Sequence, residues 1–488
     1  MTGAQGPAPA VSAGEPAGRP LRVPAHVVRA VALSGLATVL VGVPVLLGGR
    51  LYSEEQAVLL LAVHFVALTI PTAHLLGAYE KHRDFFHPSF IAAFTFIVFQ
   101  LVLNPVIYGD ALVLTYRKLD GTSSTLRTET VIHSYAVVTA AWIAYAAGCR
   151  LLPGWRAGAQ AAWARPSTRL FLVVGIAFVL VGVLGNLGVI GSVGSYLVKM
   201  TRPWERWAEW EEAGQEGGTK WAIMMRFLPV GLLVLAYGLY LRRQGRPALL
   251  YALVIAASLA NVVLSSATGG RGTMLLTAFY GIVLVNHSAR RLSFHTLVLT
   301  FLGLTAVAFV MGQLRAAAYY QTTATFSGVD AFLRFLSMYL SNYLGTLTLV
   351  FFVEQEGITH GSTAWAGLTG LLGGPTPLTT QAEVWYRLTG FRSSINPRYG
   401  PPGELYFNYG WLGLIVGMLL IGLTVQLLAR RYDAAREDRS VAGGLLAVFA
   451  AFTANFVMIG NLSYLPPYFT YYSLPFYLVF WLFRRRLC

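Results

Sequence analysis

Four stretches of this chain concentrate side chains that can hold an anion, move a proton or stack on a ring. The first is Ser265-Ser266-Ala267-Thr268-Gly269-Gly270-Arg271-Gly272-Thr273. Its glycines free backbone amides, and Arg271 stands where the following apolar run begins. Freed amides beside a guanidinium at a helix N-terminus form an anion site. Arginine suits phosphate because its planar fork donates two hydrogen bonds at once. The plainer reading is a hairpin turn with a snorkelling arginine. The second feature is an excess of cations further on: Arg315, Arg334, Arg387, Arg392 and Arg398, with Lys199, Arg202 and Arg206 in an earlier loop. Such a set fits a diphosphate, although a solvated loop surface carries similar residues.

The third stretch is Pro397-Arg398-Tyr399-Gly400-Pro401-Pro402-Gly403-Glu404-Leu405-Tyr406-Phe407-Asn408-Tyr409-Gly410-Trp411-Leu412-Gly413. Prolines and glycines fix the entry to an apolar run. Glu404 then falls on the first helical turn, where the helix dipole favours a carboxylate. Glu404, Asn408 and Trp411 are spaced i, i+4, i+7, so one regular helix would present them on one face, toward a cavity rather than lipid. The fourth is Trp204-Glu205-Arg206-Trp207-Ala208-Glu209-Trp210-Glu211-Glu212, an interfacial aromatic stripe or a platform for sugars. His360 stands alone among polar neighbours; it is either a general base or simply exposed. His64 and His74 share one apolar run without metal spacing. Glu54 and Glu55 match a two-residue acidic motif or a helix cap. There is no P-loop, HExxH or dinucleotide fingerprint, and no metal ligand set.

The elements that must position these groups are membrane helices. Of 488 residues, 56% are hydrophobic and 12% charged, whereas a soluble domain carries roughly 25% charged residues. A span needs about 20 mostly apolar residues. Runs of that size lie near 30–48, 56–78, 88–108, 131–151, 168–189, 221–241, 247–267, 272–287, 292–312, 404–429, 440–460 and 468–483, about twelve in all. Residues 1–25, rich in Ala, Pro and Gly, read as a disordered cytoplasmic tail. Cys149 and Cys488 make neither a disulfide framework nor a zinc site.

Orientation follows from Lys and Arg in the loops. With the N-terminus inside, Lys81, Arg83, Arg150, Arg156, Arg165, Arg242, Arg243, Arg246, Arg290 and Arg291 all fall inside. Arg430, Arg431, Arg436, Arg439 and Arg484 to Arg486 require the same side. Both sets agree only if 313–403 begins and ends outside. The apolar run 331–353 therefore lies in the membrane surface, re-enters, or pairs with 363–374 as a hairpin; Arg334 and Asn342 suit a segment packed on protein. The organisation is 26–312 with nine spans, 313–403 as a large extracytoplasmic loop, and 404–488 with three spans. Both termini are cytoplasmic. The net charge of +15 needs no nucleic acid; it belongs to cytoplasmic loop ends and attracts anionic membrane lipids.

The Thr-Gly-Gly-Arg-Gly turn, the long outer loop and Pro-Pro-Gly-Glu-Leu-Tyr-Phe-Asn-Tyr-Gly-Trp-Leu-Gly together resemble the oligosaccharide repeat-unit polymerases, the Wzy-type O-antigen and exopolysaccharide polymerases. The likeness covers roughly 261–430; residues 359–365 share in it. It implies an all-α integral membrane fold of the GT-C-like polymerase and ligase class in a bacterial cytoplasmic membrane. It implies a glycosyltransferase that joins undecaprenyl-diphosphate-linked oligosaccharides on the outer face. A sugar hydroxyl of one lipid-linked unit attacks the anomeric carbon of another, and undecaprenyl diphosphate leaves. No cofactor, nucleotide sugar or obligatory metal is implied; a chain-length regulator is a partner such enzymes can use. On that basis Arg271, Arg315, Arg392, Arg398 and Gly270 are expected at the diphosphate, Glu404 and His360 at proton transfer, and Asn408, Tyr406 and Trp411 at the glycan.

Two other activities share much of this pattern. An O-antigen-ligase-like transferase would have the same topology and arginines. A transporter of lipid-linked oligosaccharides would show internal repeats and midplane charges, and the sequence shows neither.

Overall fold

A computed structural model describes residues 23–47, 54–102, 115–117, 123–125, 127–151, 167–201, 219–243, 246–266, 271–289, parts of 291–310, 343–363, 365, 399–438, 441–460 and 469–485. The described fold is helical throughout, apart from a two-stranded antiparallel hairpin of Thr115–Arg117 (β1) and Ser123–Thr125 (β2). The helices are α1 (Ala25–Leu47), α2 (Glu54–His82), α3 (Pro88–Phe96), α4 (Thr128–Gly148), α5 (Thr168–Ile190), α6 (Val193–Thr201), α7 (Thr219–Met225) and α8 (Phe227–Arg242). They continue as α9 (Pro247–Ser266), α10 (Arg271–Ser288), α11 (Tyr343–Glu356), α12 (Gly400–Asp438), α13 (Val441–Ile459) and α14 (Leu474–Arg485). Wider π-turns, Ile97–Val102 and Phe469–Ser473, extend α3 and precede α14.

Six helical segments are long and apolar enough to cross a membrane: Glu55–His82, Thr128–Gly148, Thr168–Ile190, Ile223–Arg242, Pro247–Ser265 and Gly400–Arg436. Five apolar helices are shorter, at Ala25–Leu40, Pro88–Leu101, Leu275–Ser288, Gly443–Ile459 and Phe469–Phe483. Among the apolar runs of the sequence, 292–312 is described only in pieces. Large apolar side chains line outward stripes, Ile176, Leu180 and Leu184 on α5 and Ile255, Leu259 and Val263 on α9. Exposed stripes of this size suit lipid, not water.

Small residues bring the helices together. A Cβ on Gly148 would fall 2.1 Å from the Leu419 carbonyl oxygen, and one on Gly422 2.1 Å from that of Tyr145. Thus α4 and α12 lie side by side with backbones in contact, as membrane helices do where small residues face, and they run in one direction, since His133 meets Tyr406 and Cys149 meets Gly422 further along both. Gly175, Gly182 and Gly185 of α5 meet Leu235, Leu228 and Met225 in the same way. α11 is packed on α4 and α12, with Thr346, Leu347, Thr348, Leu349, Val350 and Phe351 buried along consecutive positions. A helix buried on every face touches protein rather than lipid; the first half of the run 331–353 lies outside the described residues.

At one end of the bundle, the α2–α3 turn is tied down by a buried polar network. Asp84 accepts from the Phe86 backbone N–H (2.9 Å), Asn286 Nδ2 (2.9 Å) and Tyr432 OH (2.9 Å), and pairs with Arg436 at 3.6 Å. Arg150, Arg430 and Arg431 belong to the same end. The starts of α4 and α12 mark the opposite end.

Candidate functional site

The starts of α4 and α12, the last turn of α11 and the loop after it build a polar site at that opposite end. α12 covers 39 residues but is not one rod: a Cβ on Gly417 would stand 2.3 Å from Leu405 Cδ2, so its first part folds back on the rest. It is broken at Gly410, whose φ of 65° and ψ of −154° are not helical. The first ten residues form a separate short helix that packs tightly on α11: a Cβ on Gly403 would lie 2.8 Å from Thr346 Cα.

The loop 357–363 is fastened to this short helix. Gly357, His360 and Gly361 have positive φ, which turns the chain back over α12. Gly361 can approach Tyr409 OH only because it lacks a Cβ, which would stand 2.5 Å from that oxygen. The Thr359 backbone N–H donates to the Phe407 carbonyl (3.0 Å). Asn408 Oδ1 accepts from Thr359 Oγ1 (3.1 Å) and the Thr363 N–H (3.3 Å), while its Nδ2 donates to Thr363 Oγ1 (2.6 Å) and the Glu404 carbonyl (2.8 Å). Thr363 Oγ1 in turn donates to Glu404 Oε1 at 3.2 Å. Glu404 and Asn408 are each 2% exposed.

A second polar group adjoins the first and is more open. Glu354 Oε1 lies 2.8 Å from His133 Nδ1, and Thr130 Oγ1 donates to Oε2. His133 Nε2 lies 3.0 Å from Tyr406 OH. An ionised carboxylate can only accept, so Nδ1 carries the ring proton and Nε2 accepts from the phenol. Burial opposes ionisation of Glu354, but the hydrogen bonds from His133 and Thr130 outweigh it and hold the carboxyl below its usual range. The Trp411 indole stacks on the His133 ring at 5.7 Å and is itself 42% exposed. The side chains of His133 and Glu354 are 28% and 26% exposed.

No family model, curated protein or solved structure matches this chain. The reading therefore rests on the residues themselves.

The structure revises several sequence expectations. Glu404 is one turn inside α12, not in its first turn, so hydrogen bonding to Thr363 rather than the helix dipole accounts for it. Glu404 and Asn408 do share a face, but the break at Gly410 takes Trp411 off it, onto His133 and Tyr406. Asn408 is committed to bracing the loop. Tyr406 is buried; its hydroxyl meets His133 Nε2, and its ring packs edge-on against His133 and Trp411. His360 is exposed, in the left-handed region at φ 50°. Arg271 begins α10; Gly270, Arg315, Arg392 and Arg398 lie outside the described residues, as does the 204–212 stripe.

Three residues escaped the sequence reading. His133 and Glu354 are 221 positions apart, and neither belongs to a motif; only packing of α4 on α11 joins them. Arg226, at the break between α7 and α8, holds its guanidinium 4.3 Å from the Tyr472 ring centroid. An arginine inside an apolar segment was the signal available for it.

A third cluster looks like a metal site. Ligand atoms of His82, His87 and Asp433 lie within 4.8 Å of one another. Yet Nδ1 of His87 accepts the Ser89 N–H at 3.3 Å. Its ring proton is therefore on Nε2, the atom facing Asp433 at 3.4 Å. A ligating histidine needs a lone pair there and donates from its other nitrogen. The His82 and His87 rings are also stacked face to face at 3.5 Å, and both face the same Asp433 oxygen, at 3.7 and 3.4 Å. A carboxylate bridging two imidazoles describes the cluster better than a cation.

Proposed function

We propose that this chain is a membrane-embedded glycosyltransferase that polymerises undecaprenyl-diphosphate-linked oligosaccharide repeat units on the outer face of a bacterial cytoplasmic membrane. The observation that carries the reading is the open half of the polar site: a carboxylate–imidazole pair beneath an exposed indole, at the end of the bundle away from the arginine clusters. The positive-inside rule puts the arginine end in the cytoplasm, and hence this site outside, where lipid-linked glycans are joined. An already activated donor asks little of the enzyme: two substrates held in line, a base for the acceptor hydroxyl, and positive charge for the departing diphosphate. His133 and Glu354 suit the second need and Trp411 the first. Arg271, Arg226 and the arginines of 313–403 suit the third. About twelve spans, a GT-C-like arrangement and inside termini belong to the same proposal.

Deleting the gene tests it. The expected strain carries single-repeat surface glycan and accumulates the lipid-linked repeat unit, and Arg271→Ala reproduces this while the protein still inserts. Accumulated lipid-linked polymer would instead indicate a ligase. Lipid-linked repeat units trapped at the cytoplasmic face would indicate a transporter.

A further inference from the structure

We propose that His133 is the catalytic general base that takes the proton of the acceptor sugar hydroxyl at Nε2, with Glu354 as its positioning carboxylate. This rests on the transferase reading and names the group on which its chemistry turns.

Burial separates the candidates. Glu404 is 2% exposed and bound to Thr363, so no sugar hydroxyl reaches it without dismantling the loop anchor. His360 is exposed, but no carboxylate among the described residues orients its ring. His133 alone of the three combines access with orientation: more than a quarter of its side chain is open, and Glu354 holds its Nδ1–H at 2.8 Å. That contact fixes the tautomer that leaves a lone pair on Nε2, the arrangement a neutral imidazole base requires. The Tyr406 hydroxyl rests on this lone pair at 3.0 Å, so an acceptor hydroxyl reaches Nε2 by displacing that one contact. Trp411, stacked on the imidazole, offers its exposed surface to the sugar ring that carries that hydroxyl.

The step balances without a further reactant. The acceptor O–H bond breaks, its proton passes to Nε2, and the oxygen forms a bond to the anomeric carbon of the donor. The bond from that carbon to the diphosphate oxygen breaks, and its electron pair leaves with the lipid diphosphate. Glu354 stabilises the imidazolium, which then releases its proton to water.

The test uses the lipid-linked oligosaccharide that accumulates when the gene is deleted, incubated with full-length protein in detergent. His133→Gln should lower kcat by about 10²–10⁴-fold, the usual contribution of a positioned base. Glu354→Gln, which still accepts from Nδ1–H but lacks charge, should lower kcat by less and leave KM unchanged. A merely structural role would instead change protein yield or KM. If the glutamine at 133 prevents insertion, His133→Ala with added imidazole replaces it, and recovery of turnover is expected. Undiminished kcat in His133→Gln, or no recovery with imidazole, overturns the assignment while the transferase reading stands. Wild-type protein that leaves the lipid unchanged overturns both.

Discussion

At the scale of single residues, the site divides into groups that hold and groups that react. Thr363 belongs to the first kind. Its hydroxyl and N–H serve Asn408, and its hydroxyl also serves Glu404. Thr363→Val keeps the shape but leaves a buried amide and carboxylate short of a partner, which costs about 1–3 kcal/mol. Thermal unfolding in detergent should show a lower Tm, and an unchanged Tm would mean that the loop is not anchored there. The histidines at the other end yield a different expectation. Because His87 keeps its proton on Nε2, a chelator should leave Tm unchanged in protein purified without added metal. A fall in Tm on chelation would assign a cation to His82, His87 and Asp433. The sequence exposed part of this chemistry. Glu404 and Asn408 were visible because four-residue spacing places them on one helical face. His133 and Glu354 were not, since a pair made by packing two distant helices leaves no local pattern.

Helices were legible where hydrophobicity alone decides them. The run 168–189 became Thr168–Ile190 and 247–267 became Pro247–Ser266, because a lipid-facing helix must be apolar over its whole length. The break in α12 was not legible. Gly410 sits among several glycines, and only tertiary packing selects which one leaves the helix. Its conformation is nearly confined to glycine, whereas the space around it is ordinary: a Cβ would find only Ile358 Cγ2, at 3.6 Å. Gly410→Ala should therefore cost about 1–3 kcal/mol through backbone strain alone. Gly148→Ala should cost more, since its Cβ meets the Leu419 carbonyl at 2.1 Å and α4 must move away from α12. That displacement would part His133 from Tyr406 and Trp411, so the Gly148 variant should lose activity as well as Tm. If Gly410→Ala proved the more damaging, backbone strain would outweigh the helix crossing.

For the whole molecule, the deciding question is which side of the membrane holds the polar site. α4 and α12 run in the same direction, so the His133 end and the Arg430 end are separated by the length of both helices. Lys and Arg distribution assigns the second end to the cytoplasm, and every odd-numbered crossing in the sequence reading depends on that assignment. In a Cys149→Ala, Cys488→Ala background, single cysteines can report each end. Ser362 is exposed in the loop anchored to α12, and Ser293 is exposed just beyond α10. Cysteine at 362, and equally at 327 or 394, should react with a membrane-impermeant maleimide in intact cells; cysteine at 293 should react only after permeabilisation. The reverse pattern would put the carboxylate–imidazole pair in the cytoplasm, where a polymerase of exported lipid-linked units has no substrate. The geometry of the site would survive that result, but the proposed reaction would not.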